Sequence, residues 1–350
     1  MTHRDTIERL IAQFGDQAAE AFLRAVDDIK NRVTLRVVVE KLERGDIPGA
    51  VEAIGLDPVA FERLESVLAE AYAAGGQAEV NNLPILRDPE GARVIFRFGT
   101  RNTIGEQELR QQSSELVTRI VEDQREAIRA ALSDGLSEGR NPRSTALDVV
   151  GRVSRQTNRR EGGVIGLTAP QERFVASARA ELASGDPEAL RHYLTRTRRD
   201  KRFDATVKKA IEAGKPVPAD VATRIVGRYS DRLLELRGEI IARTETTGVL
   251  NKGREDAILQ QVREGKVAAQ AVKKGWRNAR DRRVRDSHVV LHGQTVGLNE
   301  SFISPATGAP IRYPGDPRAP ASERVGCRCF LQMEVDYLAS TVRRFRAEAA

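Results

Sequence analysis

Apolar residues recur three and four positions apart along most of the chain up to about residue 265, the spacing of helices with one buried face. The stripe from Ile7 to Val26 predicts an amphipathic helix near the beginning of the sequence. A second stripe over 104–136 predicts the longest helix of the first half. The chain is therefore predicted to be mainly helical up to that point.

Residues at the ends of these stripes predict where helices begin and end. Thr168 and Gln171 have the spacing of a capping box, in which the residue before a helix and the third helical residue exchange hydrogen bonds. The pair Gly75-Gly76 predicts the end of a helix. The segment 243–245 is predicted to close a long helix that begins after Pro216.

Glycines and β-branched residues mark the remaining segments. Residues 93–98 predict a short strand or hairpin, and residues 159–166, with three glycines, predict a flexible connection. The helical period then disappears, and strands are predicted at 272–277, 289–291 and 329–335. The pattern favours a mainly α N-terminal and middle region with a small C-terminal α+β domain.

We divide the chain into four segments at these changes of pattern. They are an N-terminal helical region with a short β element (1–100), a long-helix middle region (101–265), a C-terminal α+β domain (266–338) and a terminal helix or tail (339–350). No repeat of fixed period was found, so a solenoid is not expected.

Composition narrows the class of protein but does not give its function. The chain has 350 residues, of which 40% are hydrophobic, enough to bury a core. No apolar stretch approaches the length of a membrane span. Two cysteines exclude a disulfide scaffold and suit a reducing compartment. The formal net charge of +7 permits contact with nucleic acid.

The excess positive charge is concentrated in two stretches, 196–209 and 276–286, which together hold twelve basic and four acidic residues. Clustered arginine and lysine side chains are what binding of a phosphate backbone requires. Candidate phosphate contacts are Arg198, Arg199, Lys201, Arg202, Arg280, Arg282 and Arg283. A solvated charged face, or a protein interface rich in arginine, would give the same pattern.

Histidine and cysteine residues near the C-terminus are of the residue types that bind metal ions. His288 and His292 are four residues apart, and Cys327 and Cys329 are two apart. These side chains are ligands of tetrahedral zinc, although their spacing differs from that of a standard zinc finger. Alternatively, the cysteines are small buried apolar residues and His288 is a hydrogen-bonded structural residue.

A further set of polar residues has the chemistry of an acid–base or phosphate site. The set comprises Arg243, Glu245, Asp281, Arg285 and His288. Its carboxylates and histidine suit proton transfer, and its arginines suit phosphate binding. No P-loop, nucleophile elbow or HExxH motif accompanies them. The alternative is a network of ion pairs that fixes loops in a small domain.

The order of motifs in the last third of the chain resembles the phage Mu protein F-like family of head morphogenesis, or minor head, proteins. The motifs are Ala242-Arg243-Thr244-Glu245-Thr246, Trp276, Asp281 to His288, Gly293, Phe302, Pro314-Gly315-Asp316-Pro317, Ala321-Ser322-Glu323 and Cys327-Arg328-Cys329. The resemblance covers about 229–335. It departs from the family pattern at Gly326 and His292, which leaves His288, Cys327 and Cys329 as the better metal set.

The resemblance implies a minor head protein of the virion, assembled in the host bacterial cytoplasm. It implies association with the portal protein and other head proteins, and a role in DNA packaging or ejection. We expect contact with the phosphate backbone of double-stranded DNA, no catalytic activity, and no cofactor other than zinc. The alternatives are a nuclease or phosphate-transfer enzyme that uses Glu245, Asp281 and His288, and a plain DNA-binding protein.

Overall fold

The computed structural model describes residues 2–87, 90–99 and 103–336, and these are mainly helical. Twelve α-helices lie in these ranges: α1 (His3–Arg32), α2 (Leu35–Glu43), α3 (Ile47–Ala53), α4 (Glu62–Asn82), α5 (Thr103–Ser137), α6 (Pro142–Val150), α7 (Ala169–Ser184), α8 (Pro187–Thr195), α9 (Asp204–Ala213), α10 (Ala219–Arg263), α11 (Asp286–Leu291) and α12 (Ala321–Arg324). The expected helix or tail over 339–350 lies outside the described residues.

Seven short strands occur in the described part of the chain. They are β1 (Arg152–Val153), β2 (Arg160–Glu161), β3 (Val272–Arg277), β4 (Thr295–Gly297), β5 (Phe302–Ile303), β6 (Pro310–Ile311) and β7 (Phe330–Val335). Strand β3 lies between β4 and β7 in an antiparallel sheet, with Gly275 opposite both Thr295 and Gln332. The strands predicted at 272–277 and 329–335 are confirmed, as is the predicted fold class.

Two compact units divide the chain, and each takes residues from distant parts of the sequence. The sheet unit contains Met1–Glu20, Arg63–Ser114 and Glu239–Ala350. The helical unit contains Ala21–Glu62 and Glu115–Gly238.

Glycines bring a loop of the helical unit into contact with its helices. Gly162 and Gly166 have positive φ angles, which glycine adopts without strain. A Cβ atom at Gly166 would meet Val26 and Leu234. The buried Lys30 ammonium donates to the Gly162 carbonyl at 2.7 Å. The prediction of a flexible connection over 159–166 is therefore wrong, because its glycines serve close packing.

The capping box at the beginning of α7 is confirmed. The Thr168 hydroxyl accepts from the Gln171 backbone N–H at 3.4 Å, and the Gln171 side chain accepts from the Thr168 N–H at 3.1 Å. At the other end, Gly185 has φ +72°, the left-handed conformation that commonly ends helices.

Two helices, α4 and α10, continue past their predicted ends. Helix α4 runs through Gly75-Gly76 to Asn82, and α10 packs against it so closely that a Cβ atom at Gly75 would collide with the Leu250 carbonyl. These glycines permit close helix packing and do not end the helix. Helix α10 likewise continues through 243–245 to Arg263.

Of the other predicted β elements, one is wrong and one is much shorter than expected. Residues 289–291 belong to α11, in which Ser287, His288 and Leu291 are buried while Val289 and Val290 are exposed. The three buried residues lie on one face of the helix, and Val289 and Val290 lie on the face that meets solvent. Residues 93–98 do not form a regular strand, but Arg93 pairs with Arg87 in an isolated antiparallel bridge and Val94 N donates to the Leu86 carbonyl at 2.9 Å, so the predicted strand or hairpin is reduced to this short pairing.

Candidate metal centre

The sheet unit brings His288, Cys327 and Cys329 together in its core. His288 lies on α11, and both cysteines lie just before β7. His288 Nδ1 is 3.6 Å from Cys327 Sγ and 3.4 Å from Cys329 Sγ. One ligand atom from each residue lies within 4.8 Å of the other two, and each residue is about 1% exposed.

Polar side chains on α10 fix the backbone that carries the cysteines. The Thr244 hydroxyl accepts from Gly326 N at 2.9 Å, and the Thr247 hydroxyl donates to the Cys327 carbonyl at 3.2 Å. Asn251 donates to the Cys329 carbonyl at 3.3 Å and accepts from Leu331 N at 2.9 Å. Because Thr244, Thr247 and Asn251 share one helix face, α10 holds this whole segment in register.

Glu323, on α12, is a member of the site that the sequence did not reveal. Its Oε2 atom lies 3.0 Å from His288 Nε2. Its carboxylate also accepts hydrogen bonds from Ser287 at 3.0 Å and from Ser304 at 2.7 Å. The residue is 3% exposed. The signal that the sequence offered was its place in the motif Ala321-Ser322-Glu323, but no spacing linked that motif to His288, because α12 reaches α11 through the tertiary fold.

The environment sets the ionisation of the buried acids. A hydrogen bond from Cys329 lowers the pKa of the Cys327 thiol well below its ordinary value, against the effect of burial and with help from His288. The same hydrogen bond, together with burial, raises the pKa of Cys329. Burial raises the pKa of Glu323, but hydrogen bonds from Ser304 and Ser287 and the nearby His288 lower it further, below its ordinary value. These shifts favour the ionised forms of the Cys327 thiol and the Glu323 carboxylate.

Aromatic side chains close the site from water. The Trp276 ring, on β3, meets the His288 ring edge-on at a centroid distance of 5.0 Å. It meets Phe302 in the same way at 5.3 Å. Both aromatic residues are about 1% exposed and belong to the same core cluster as the two cysteines.

His292, the other histidine considered from the sequence, does not join the cluster. Its Nδ1 atom accepts from Asn278 N at 3.1 Å, and the candidate metal-binding group in the described residues comprises His288, Cys327 and Cys329 alone. The structure therefore brings together the three residues favoured by the family resemblance.

The five residues suggested for acid–base chemistry do not form one cluster. Glu245 accepts from Arg324 at 2.7 Å, Asp281 pairs with Arg328, and Arg285 donates to the Val325 carbonyl. Arg243 is exposed beside Glu8 in a groove. Among the described residues, no hydrogen bond or ion pair joins any of the five side chains to another. The arrangement consists of separate ion pairs and hydrogen bonds.

Two of the seven basic residues of the first basic stretch are paired with the two acids of the same stretch. Arg199 donates twice to Asp204, at 2.9 Å each, and Arg202 donates to Asp200 at 2.6 Å. The Arg202 side chain holds the pKa of Asp200 down at about 2. Arg198 is partly buried and Lys201 is exposed.

The second basic stretch is more open to solvent. Arg280, Arg282 and Arg283 are exposed on the loop between β3 and α11. Arg280 has a positive φ angle of 55°. Asp281 is bound by Arg328, and hydrogen bonds from Arg328 and from Arg283 N hold its pKa at about 2. Because Arg328 binds Asp281, that carboxylate does not pair with the side chains of the loop arginines. The guanidinium groups of Arg280, Arg282 and Arg283 therefore face solvent.

No helix within the described ranges has the length and apolar character needed to cross a membrane.

The family model described as Phage Mu protein F like protein matches residues 201–332. The chain is also 35% identical over 66 residues to "Uncharacterized protein YqbB" of Bacillus subtilis (strain 168). That match covers 18% of this chain and 22% of the Bacillus protein, and no solved structure matches the chain. Over residues 201–332 the chain is thus similar to the Phage Mu protein F like family, the family that its motifs resemble.

Proposed function

We propose that this protein is a minor component of the phage head that associates with the portal and acts in head morphogenesis. The observation that carries the proposal is the family match over 201–332, which includes α9, α10, β3, β4 and the first half of β7. The separate ion pairs of Glu245 and Asp281 suit a structural role better than a catalytic one. Its place is the virion head, beside the portal and other head proteins.

The test uses phage particles assembled with an affinity-tagged copy of the chain. Procapsids and mature virions are purified, and quantitative mass spectrometry measures the amount of the chain relative to the portal protein. We expect the chain in procapsids at few copies and its recovery together with the portal after mild disruption of the head. Absence from both procapsids and virions would exclude the proposal.

We further propose that the loop of Arg280, Arg282 and Arg283 contacts packaged DNA through phosphate groups. Three exposed guanidinium groups within four residues, with the intervening Asp281 bound by Arg328, support this. The first basic stretch is less suited to the task, because Arg199 and Arg202 are paired with acids. Phosphate contacts of this kind carry no sequence preference.

Salt dependence of binding to double-stranded DNA tests this proposal. Each phosphate contact contributes about 0.9 to the slope of log affinity against log salt, so Arg282→Gln with Arg283→Gln should reduce the slope by about 2. The control is Arg119→Gln with Arg129→Gln, two exposed arginines on α5 that give the same change in net charge. Equal slopes for the two double variants would refute contact at this loop.

A further inference from the structure

We propose that His288, Cys327 and Cys329 bind a zinc ion that fastens α11 to the segment before β7. Tetrahedral zinc with ordinary bond lengths places a nitrogen ligand and a sulfur ligand about 3.5 Å apart. The two distances from His288 Nδ1 to the sulfurs are 3.6 and 3.4 Å. The cluster thus has the ligand types and the nitrogen-to-sulfur separations of a zinc site.

Hydrogen bonding alone accounts less well for this geometry. A single imidazole nitrogen has either one lone pair or one N–H, yet Nδ1 faces two sulfur atoms at nearly equal distances. A metal ion between the three atoms uses the lone pair of the nitrogen and a lone pair of each thiolate. Binding displaces the remaining thiol protons to solvent, so the ion and two thiolates leave the centre without net charge.

The surroundings of the cluster are those that orient metal ligands. Histidines bound to metals commonly direct their second ring nitrogen to a carboxylate. Here His288 Nε2 faces Glu323 at 3.0 Å, and Ser287 and Ser304 hold that carboxylate in place. The Cys329 N–H also points to Cys327 Sγ at 3.4 Å, an interaction that favours the thiolate.

The position of the site indicates a structural role for the ion. His288 and Cys327 are 39 residues apart, and both are buried in the small core around Trp276. Zinc would join these two stretches directly, as structural zinc does in small domains with little apolar core. The three side chains supply three of the four ligands that tetrahedral zinc takes.

Metal analysis of the full-length chain, purified with its thiols reduced, tests the proposal. We expect about one zinc ion per chain after dialysis against a slight excess of zinc. Replacement of zinc by Co²⁺ should give thiolate-to-metal charge-transfer absorption. The chain has only two cysteines, so this absorption assigns the metal to Cys327 and Cys329 without any substitution. A folded, reduced chain that binds no zinc, or a Co²⁺ complex without thiolate absorption, would overturn the proposal.

Variants then test the individual residues. His288→Asn and Cys329→Ser should abolish stoichiometric binding, whereas His292→Asn, a matched histidine four residues away, should retain it. Glu323→Gln should bind zinc about 10- to 100-fold more weakly, because the carboxylate positions the imidazole without contacting the ion. Affinity is measured by competition with a chromophoric chelator, and circular dichroism checks folding. Wild-type affinity in folded His288→Asn would contradict the assignment.

Discussion

Glu255 on α10 joins two cations of the sheet unit, and its removal is expected to destabilise that unit strongly. The carboxylate binds Lys274 Nζ at 2.9 Å and Arg312 at 2.6 Å. Glu255 and Lys274 are each about 1% exposed, whereas the Arg312 side chain is 29% exposed. In Glu255→Gln, Arg312 can therefore turn its charge towards water, but Lys274 cannot.

The free energy of unfolding is expected to fall because the Lys274 ammonium stays buried beside a neutral glutamine side chain. Removing one partner of a buried ion pair costs about 3–5 kcal/mol. The glutamine oxygen still accepts a hydrogen bond, and the Arg312 carbonyl, 3.2 Å from Lys274 Nζ, remains. We therefore expect the lower end, about 3 kcal/mol. For a unit of about 150–250 residues this lowers the midpoint of thermal unfolding by about 6–12 °C.

Differential scanning calorimetry and urea unfolding measure this loss. The control is Glu235→Gln, which removes an exposed carboxylate from the same helix and should change stability by less than about 0.5 kcal/mol. Adding Lys274→Met to Glu255→Gln should restore part of the loss, because a buried apolar side chain needs no counter-charge. Equal midpoints for Glu255→Gln and Glu235→Gln would refute this reasoning.

Three further substitutions test other features by urea unfolding. Burial and the charge of Asp134 raise the pKa of Glu172 from 4.5 to about 6, so stability is lost as pH rises through this range. Glu172→Gln should gain about 1 kcal/mol at pH 8, after allowance for solvent screening, and nothing at pH 4; an equal effect at both pH values would contradict this. Gly75→Ala should cost about 1–3 kcal/mol, because its Cβ atom meets a carbonyl of α10, whereas Gly15→Ala, with open space around it, should stabilise. Thr168→Ala should cost about 1 kcal/mol through loss of the capping box, and an unchanged midpoint would show that the cap contributes nothing.

Sequence pattern predicted helices well where one face meets solvent and poorly where a helix is buried on several sides. The first half of α10 shows a clear apolar stripe. Its second half carries buried polar residues, among them Thr246, Asn251 and Arg254, each about 0% exposed. Arg254 binds Glu79 of α4 at 2.7 Å. A period of polar and apolar residues cannot appear where both types are buried.

The candidate metal residues could be selected from the sequence because their side-chain types are rare and their chemistry is specific. Glu323 could not, since a glutamate is usually exposed and only the fold places this one against His288.

Counting charges along the sequence had a similar limit. It located the basic stretches but could not tell that Arg199 and Arg202 are neutralised by neighbouring acids, whereas Arg282 and Arg283 lie in solvent.

The order in which residues are synthesised on the ribosome determines when each of the two units can fold. The last residue of the helical unit is Gly238, so this unit can fold while later codons are still being translated. The sheet unit combines the beginning of the chain with residues beyond Glu239, and the backbone partners of Asn251 arrive only with Cys329 and Leu331. Until then α4 and the first turns of α1 lack their partners, and the apolar faces they later bury are available to chaperones. Messages that end before codon 331 should therefore yield a folded helical unit joined to a segment that cellular proteases remove.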